Sequence, residues 1–194
     1  MKPFLENSLN LTEDGIFKPY PKEKFIQQRL NGCTLNLDGT YSSKGSVDLS
    51  DLGLTSLPVK FKEVKGYFSC NNNKLISLKG APKEVGRDFS CGYNQLTSLE
   101  GCPEVVGGGF GCGHNKLISL KGCPIKVSRS FNCGYNKLTS LEGAPEEVGR
   151  NFWCDHNNLT TLEGAPRKVG YGFWYGNNLV SGYELRKTVS RSYL

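Results

Sequence analysis

The 194-residue chain predicts a parallel β-solenoid, and three observations carry that expectation. First, Phe68, Phe89, Phe110, Phe131 and Phe152, followed by Phe173, stand 21 residues apart without a slip. A fixed period of this length is the signature of stacked supersecondary units. Second, whole columns keep the same step. Two residues after Phe come Cys70, Cys91, Cys112, Cys133 and Cys154, with Tyr175 last. Five after Phe come Asn73, Asn94, Asn115, Asn136 and Asn157, then Leu at 75, 96, 117, 138 and 159 and again at 78, 99, 120, 141 and 162. Third, every return path carries Gly (80, 101, 122, 143, 164) and Pro (82, 103, 124, 145, 166) before closing on Val85, Val106, Val127, Val148 or Val169. Pro lacks an N–H and Gly is a poor helix former, so the return is not helical.

Each element follows from residue type. F-x-C alternates with period two, which predicts one short strand per repeat, and stacking one strand per repeat makes a parallel sheet. The Asn column falls where the strand turns. An amide offers two donors and an acceptor, so a ladder of them can satisfy backbone groups that a buried corner would leave unpaired. The opposite, convex side is expected to be irregular, extended or single-turn 3-10. One copy alone buries too little apolar surface to offset its ordering entropy, so stability has to come from the stack.

The ends depart from the unit and read as caps. A degenerate first copy begins near Ser46, with Val47, Leu49, Leu54, Leu57 and Val64 in register and Leu52 in place of the ladder Asn. Upstream, 34–37 and 40–42 around Asp38 and Gly39 predict a hairpin that shields the solenoid edge. Residues 21–30, with Pro21 early and Gly32 just beyond, predict a short helix. Apolar residues within 1–19 are expected to join this cap. At the far end, 176–179 (G-N-N-L) reads as one residue short of register, and the tail is expected to close the core as a helical turn or to lie extended. The resulting division is an N-terminal cap over 1–45, a solenoid over 46–181 with five full copies and a partial last one, and a C-terminal cap or tail over 182–194.

The unit F-x-C-x-x-N-x-L-x-x-L-x-G-x-P-x-x-V resembles a leucine-rich repeat with Phe and Cys replacing two strand leucines. The fuller phrases L-T-S-L-E-G-C-P at 96–103 and L-T-S-L-E-G-A-P at 138–145 are similar to the short repeats encoded by large tailed bacteriophages and some bacteria. The resemblance covers roughly residues 47 to 181. It implies a leucine-rich-repeat fold and, because the wider family consists largely of protein-binding scaffolds, a protein partner, with a host protein the natural candidate. Fold by itself does not give function.

Composition narrows the classes. The +6 net charge is spread out: residues 1–45 carry six basic and five acidic side chains, 46–181 fifteen and twelve, and 182–194 three and one. A basic edge of Lys74, Lys116 and Lys137 is interrupted by Gln95 and Asn158, which argues against a nucleic-acid stripe. Lys79, Glu100, Lys121, Glu142 and Glu163 share one slot and can pair between rows, at modest value. Seven of the eight cysteines occupy repeat slots, five in the strand column and Cys102 and Cys123 where other copies have Ala. They read as small buried hydrophobes. Adjacent thiols stand near disulfide range, but there is no C-x2-C pair for zinc, and no metal or cofactor is expected. No signal peptide or membrane-length apolar run is present, which points to a reducing cytoplasm and makes the sequons at Asn10 and Asn158 chance matches.

Function is therefore sought in the outward strand slots, which the period does not dictate. The two tryptophans, Trp153 and Trp174, stand one repeat apart in such a slot and should stack. Arg129, Arg150, Tyr171 and Tyr175 lie beside them in sequence, an aromatic and Arg mixture typical of interface hot spots. A second column, Tyr93, His114, Tyr135 and His156, precedes the ladder Asn. Catalysis is not expected: the histidines sit two repeats apart, the Asp155–His156 pair has no adjacent nucleophile, and an open sheet excludes no water. The expected role is a non-enzymatic protein-binding scaffold using the concave sheet, with carbohydrate or nucleic-acid stacking on the same face as the alternative. Self-association through the solenoid ends to a homodimer is compatible with this reading.

Overall fold

A computed structural model describes residues 9–11, 17–19 and 22–180. Its body is a β-solenoid of about six turns, with parallel strands 21 residues apart. The main sheet has seven strands, one per coil: β5 (Val47–Asp48), β7 (Phe68–Ser69), β9 (Phe89–Ser90), β11 (Phe110–Gly111), β13 (Phe131–Asn132), β15 (Phe152–Trp153) and β17 (Phe173–Trp174). Register is unbroken, Phe against Phe, with Val47 opposite Phe68.

The Val column does more than close each unit. It forms a second short strand in each coil, so the expectation of a single strand per repeat is too few. These strands are β6 (Phe61–Val64), β8 (Glu84–Val85), β10 (Val105–Val106), β12 (Lys126–Val127), β14 (Glu147–Val148) and β16 (Lys168–Val169). The rest of the return is irregular, with no 3-10 helix among the described residues.

This second sheet divides in two. β10-β8-β6 continue into the cap, and β12-β14-β16 stand apart. The break coincides with a change of residue in one slot, although a side chain there does not by itself break the ladder, since Lys65 holds that slot in the first copy and still donates to Ser43 O at 2.9 Å. Three residues before Phe the slot holds Gly86, Gly107, Gly149 and Gly170, but Ser128 in the copy between. A Cβ at any of these glycines would fall well inside 3.0 Å of the preceding coil's carbonyl oxygen, closer than real Cβ atoms come. Gly107 donates its N–H to Val85 O at 2.9 Å and Gly149 to Val127 O at 2.9 Å. Ser128, which carries a Cβ, makes no such bond to Val106, and Ile125 makes none to Glu104, although Glu146 donates to Ile125 O at 2.8 Å one coil later.

The core runs along the axis. Phe68, Phe89, Phe110, Phe131 and Phe152 are fully buried, with ring centroids 5.2–5.8 Å apart along the row. The Cys, Leu and Val columns fill the space around them. The ladder asparagines bind two coils at once. Asn94 Nδ2 donates to Cys70 O of the preceding coil at 3.0 Å and to Cys91 O and Gly92 O of its own at 3.1 Å, while its Oδ1 accepts the Leu75 N–H at 2.9 Å. Asn73, Asn115, Asn136 and Asn157 repeat the pattern. Among the described residues no buried side-chain N or O lacks a partner. The return corner needs φ near +82 to +98° at Gly80, Gly101, Gly122, Gly143 and Gly164, which a side chain would strain.

The N-terminal cap forms as expected. Helix α1 (Lys22–Arg29) packs Ile26, with Leu30 just beyond it, against the core, and Arg29 reaches Asp48 at 3.5 Å. β3 (Cys33–Leu35) and β4 (Tyr41–Ser43) make the antiparallel hairpin, and β4 then pairs in parallel with β6, covering that edge of the second sheet. Upstream, β1 (Leu9–Leu11) and β2 (Phe17–Pro19) pair antiparallel. Two expectations need correction. The last copy is not short of register: Asn178 occupies the ladder slot, accepting from Leu159 N–H at 3.0 Å, and Val180 fills the Leu slot against the core while Leu179 points to solvent. The expected Lys79/Glu100/Lys121/Glu142 pairs also do not form; exposed ion pairs appear instead beside the second sheet, at Lys83–Glu104 (3.4 Å) and Lys126–Glu147 (2.7 Å). The expected tail or cap over 182–194 lies outside the described residues.

Candidate functional site

The outward face of the main sheet is built from short polar side chains until its C-terminal end. Ser69, Ser90, Gly111 and Asn132 occupy the slot after Phe, followed by Trp153 and Trp174. The two indoles stack with centroids 5.3 Å apart and planes 21° from parallel. Trp153 is half-buried and Trp174 is 46% exposed. The six-membered ring of Trp174 lies over Gly172, where a Cβ would overlap it. Glycine at 172 is what lets this indole lie back along its own strand.

The second column forms one continuous stack. Tyr93 and His114 have centroids 4.0 Å apart, His114 and Tyr135 4.2 Å, and Tyr135 and His156 4.0 Å, all within 11° of parallel. This spacing is tighter than the ~4.8 Å between strands, so the rings lean into contact. His114 and Tyr135 therefore have both faces covered and present their edges, and Tyr93 and His156 each have one face covered. At the C-terminal end His156 is held from both sides, Nδ1 against Asp155 Oδ2 at 2.8 Å and Nε2 against Asn177 Nδ2 at 2.7 Å. A carboxylate accepts from Nδ1–H, so Nε2 accepts from the amide.

The backbone under this stack is unusual. Tyr93, His114, Tyr135 and His156 all have φ between +53 and +56°, and the column continues at the same sign through Asn72 and Asp51 on one side and Asn177 on the other. For a side chain other than Gly, Asn or Asp this left-handed conformation costs roughly 1–2 kcal/mol. Ring stacking contributes about 0.5–1.5 kcal/mol per pair, enough to offset it. Sequence reasoning missed this turn, though stepping by 21 from Tyr93 reaches Asn72 and Asp51, residues that tolerate it. It missed a further set as well: Asp88 and Asn151 accept the Gly109 and Gly172 N–H groups of the next coil at 2.6 and 3.2 Å.

The structure joins the expected site residues only in part. The Trp pair and the Tyr/His stack each form, with no ring contact or hydrogen bond between the two sets among the described residues. Arg129 is exposed and pairs with Asp88 two coils away at 3.8 Å. Arg150 is also exposed, and its backbone joins Arg129 O at 3.0 Å.

The thiols are arranged for packing. Burial pushes Cys70, Cys102, Cys123 and Cys154 up to about 12 and holds Cys91, Cys112 and Cys133 well above the ordinary thiol range. All eight are free. Among the described residues no cluster of His, Cys, Asp and Glu could hold a metal ion, and no helix is long and apolar enough to cross a membrane. No protein-family model matches the chain, and no curated protein is significantly similar to it.

Proposed function

We propose that this β-solenoid is a non-enzymatic protein-binding scaffold of the short leucine-rich-repeat type, phage-encoded and acting on a host protein in the cytoplasm. The observation that carries the reading is the stacked Trp153–Trp174 pair, partly exposed on the open face of a rigid sheet. Exposed indoles are a typical anchor of protein interfaces. Arg129, Arg150 and the edges of the Tyr93–His114–Tyr135–His156 stack supply the polar surround.

Chemistry finds little support in the same residues. Thiols held well above the ordinary thiol range by burial are poor nucleophiles at neutral pH, and both ring nitrogens of His156 are already engaged. Recognition of sugars or bases by stacking needs free ring faces. In the Tyr/His column those faces lie against one another at 4.0–4.2 Å, which favours a protein partner over the carbohydrate or nucleic-acid alternative.

The test is affinity capture from an extract of the cells in which the protein is made, using wild type and a Trp153→Ala/Trp174→Ala variant of equal stability. Wild type is expected to retain a partner that the variant loses at least tenfold. An identical partner set would overturn the reading.

A further inference from the structure

Each inner coil of the main sheet donates at least three backbone hydrogen bonds to the coil that follows. From the coil of β15 they run from Phe152 N–H to Gly172 O and from Cys154 N–H to Trp174 O, both at 2.8 Å, and from His156 N–H to Gly176 O at 2.9 Å. The same three donors in the next coil, the N–H groups of Phe173, Tyr175 and Asn177, meet no acceptor among the described residues. An edge of this kind is a template for another strand. The core thins here too: Phe173 and Tyr175 are only half-buried in slots that hold fully buried Phe and Cys elsewhere. Trp153 covers one face of Trp174, and the other carries no ring contact among the described residues.

Charge selects the occupant. Between 164 and 180 the chain carries Arg167 and Lys168, both exposed, and no acidic residue, whereas the coil at 143–163 carries four. Residues 181–194 are themselves net basic, with Arg186, Lys187 and Arg191 against Glu184. A second copy would bring the same basic edge. Both are like-charged with the site, and like charge opposes their docking.

We infer that β17 is a strand-addition site for an extended, acidic segment of a partner protein, held by the Phe173, Tyr175 and Asn177 backbone, by Arg167 and Lys168, and by the exposed part of Trp174. This rests on the protein-binding reading above and gives it a chemistry. Strand addition draws affinity from main-chain hydrogen bonds and specificity from flanking side chains.

The experiment uses the full chain and synthetic octapeptides. One alternates Val with Glu, a second alternates Val with Lys, and two more copy the acidic peptide with N-methyl groups on one or the other alternate set of amides. In the free protein the amides of Phe173, Tyr175 and Asn177 are expected to exchange with solvent much faster than those of Phe152, Cys154 and His156. The acidic peptide should slow that exchange and bind at least tenfold tighter than the basic one. One N-methyl pattern should abolish binding and the other leave it intact. An Arg167→Glu/Lys168→Glu variant should reverse the charge preference. The inference is overturned if the three amides are already protected in the monomer, if they become protected by self-association, if both peptide charges bind alike, or if both N-methyl patterns bind. Its failure shows in exchange at 173, 175 and 177, whereas failure of the scaffold reading shows as an unchanged partner set in the double-Trp variant.

Discussion

Replacing Gly149 by Ala should open the second sheet at a new place. The added Cβ would overlap the Ser128 carbonyl oxygen, and the sheet is already divided where that slot holds Ser128, whereas Lys65 beside the cap keeps its bond to Ser43 O. Two ladder bonds are at stake, Gly149 N–H to Val127 O at 2.9 Å and Glu146 N–H to Ile125 O at 2.8 Å. Each contributes about 1 kcal/mol net. Ala in place of Gly recovers about 0.4–1 kcal/mol by restricting the unfolded chain. The balance is a loss of about 1–2 kcal/mol, roughly 2–8 °C in the thermal midpoint for a chain of this size. Far-ultraviolet circular dichroism on heating and urea titration would measure it. The reverse change, Ser128→Gly, should raise stability by about 1 kcal/mol by the same reasoning, with new exchange protection at residue 128. Gly45→Ala is the control, because a Cβ there meets nothing within 4 Å. A Gly149→Ala protein as stable as the Gly45→Ala control would refute the argument.

Other residues give equally direct tests. Asn136→Ala takes the acceptor from the buried Leu117 N–H, while the Cys112 and Cys133 carbonyls keep the Asn115 and Asn157 amides as donors; at about 1–3 kcal/mol for one orphaned buried group, a loss of that size is expected in urea titration. The thiols make stability depend on pH in one direction. In the unfolded chain they ionise near 9.0, but in the fold Cys70, Cys102, Cys123 and Cys154 stay protonated to about 12. The fold then binds more protons than the unfolded chain above pH 9, so stability should be level below pH 9 and fall as pH rises toward 12; a flat urea midpoint between pH 8 and 10.5 would contradict this. Tyr135→Gly relieves roughly 1–2 kcal/mol of left-handed strain and gives up two ring contacts of about 0.5–1.5 kcal/mol each. Its stability should stay within about 1 kcal/mol of wild type on this balance, and a larger loss would show that the turn is not strained.

The solenoid was legible because its determinants are local and repeated. Phe68 to Phe152, the Asn ladder and the cap hairpin around Asp38 and Gly39 each follow from residue type and spacing. The second strand of each coil was harder to see: Glu84–Val85 and its counterparts are two residues long, too short for periodicity to register. The break at Ser128 is a matter of how two coils meet, which no pattern along the chain displays. Register at the last coil failed for a simpler cause, because Leu179 resembles a ladder leucine while Val180 fills that slot. At the candidate site, the stacking of Trp153 on Trp174 and of Tyr93 through His156 followed from column position alone. The backbone conformation beneath the second stack, the Gly172 seat of Trp174 and the edge at Phe173, unpaired among the described residues, are properties of three-dimensional placement.

The asparagine ladder has a consequence for how the molecule comes into being. Each Leu N–H at the end of a strand, such as Leu75, is satisfied by an Asn that belongs to the next coil. A stack that stops at any coil thus leaves this Leu N–H unanswered, along with the strand N–H groups that the next coil would accept. Each added coil therefore answers donors that its predecessor holds open, and stability should grow with the number of coils.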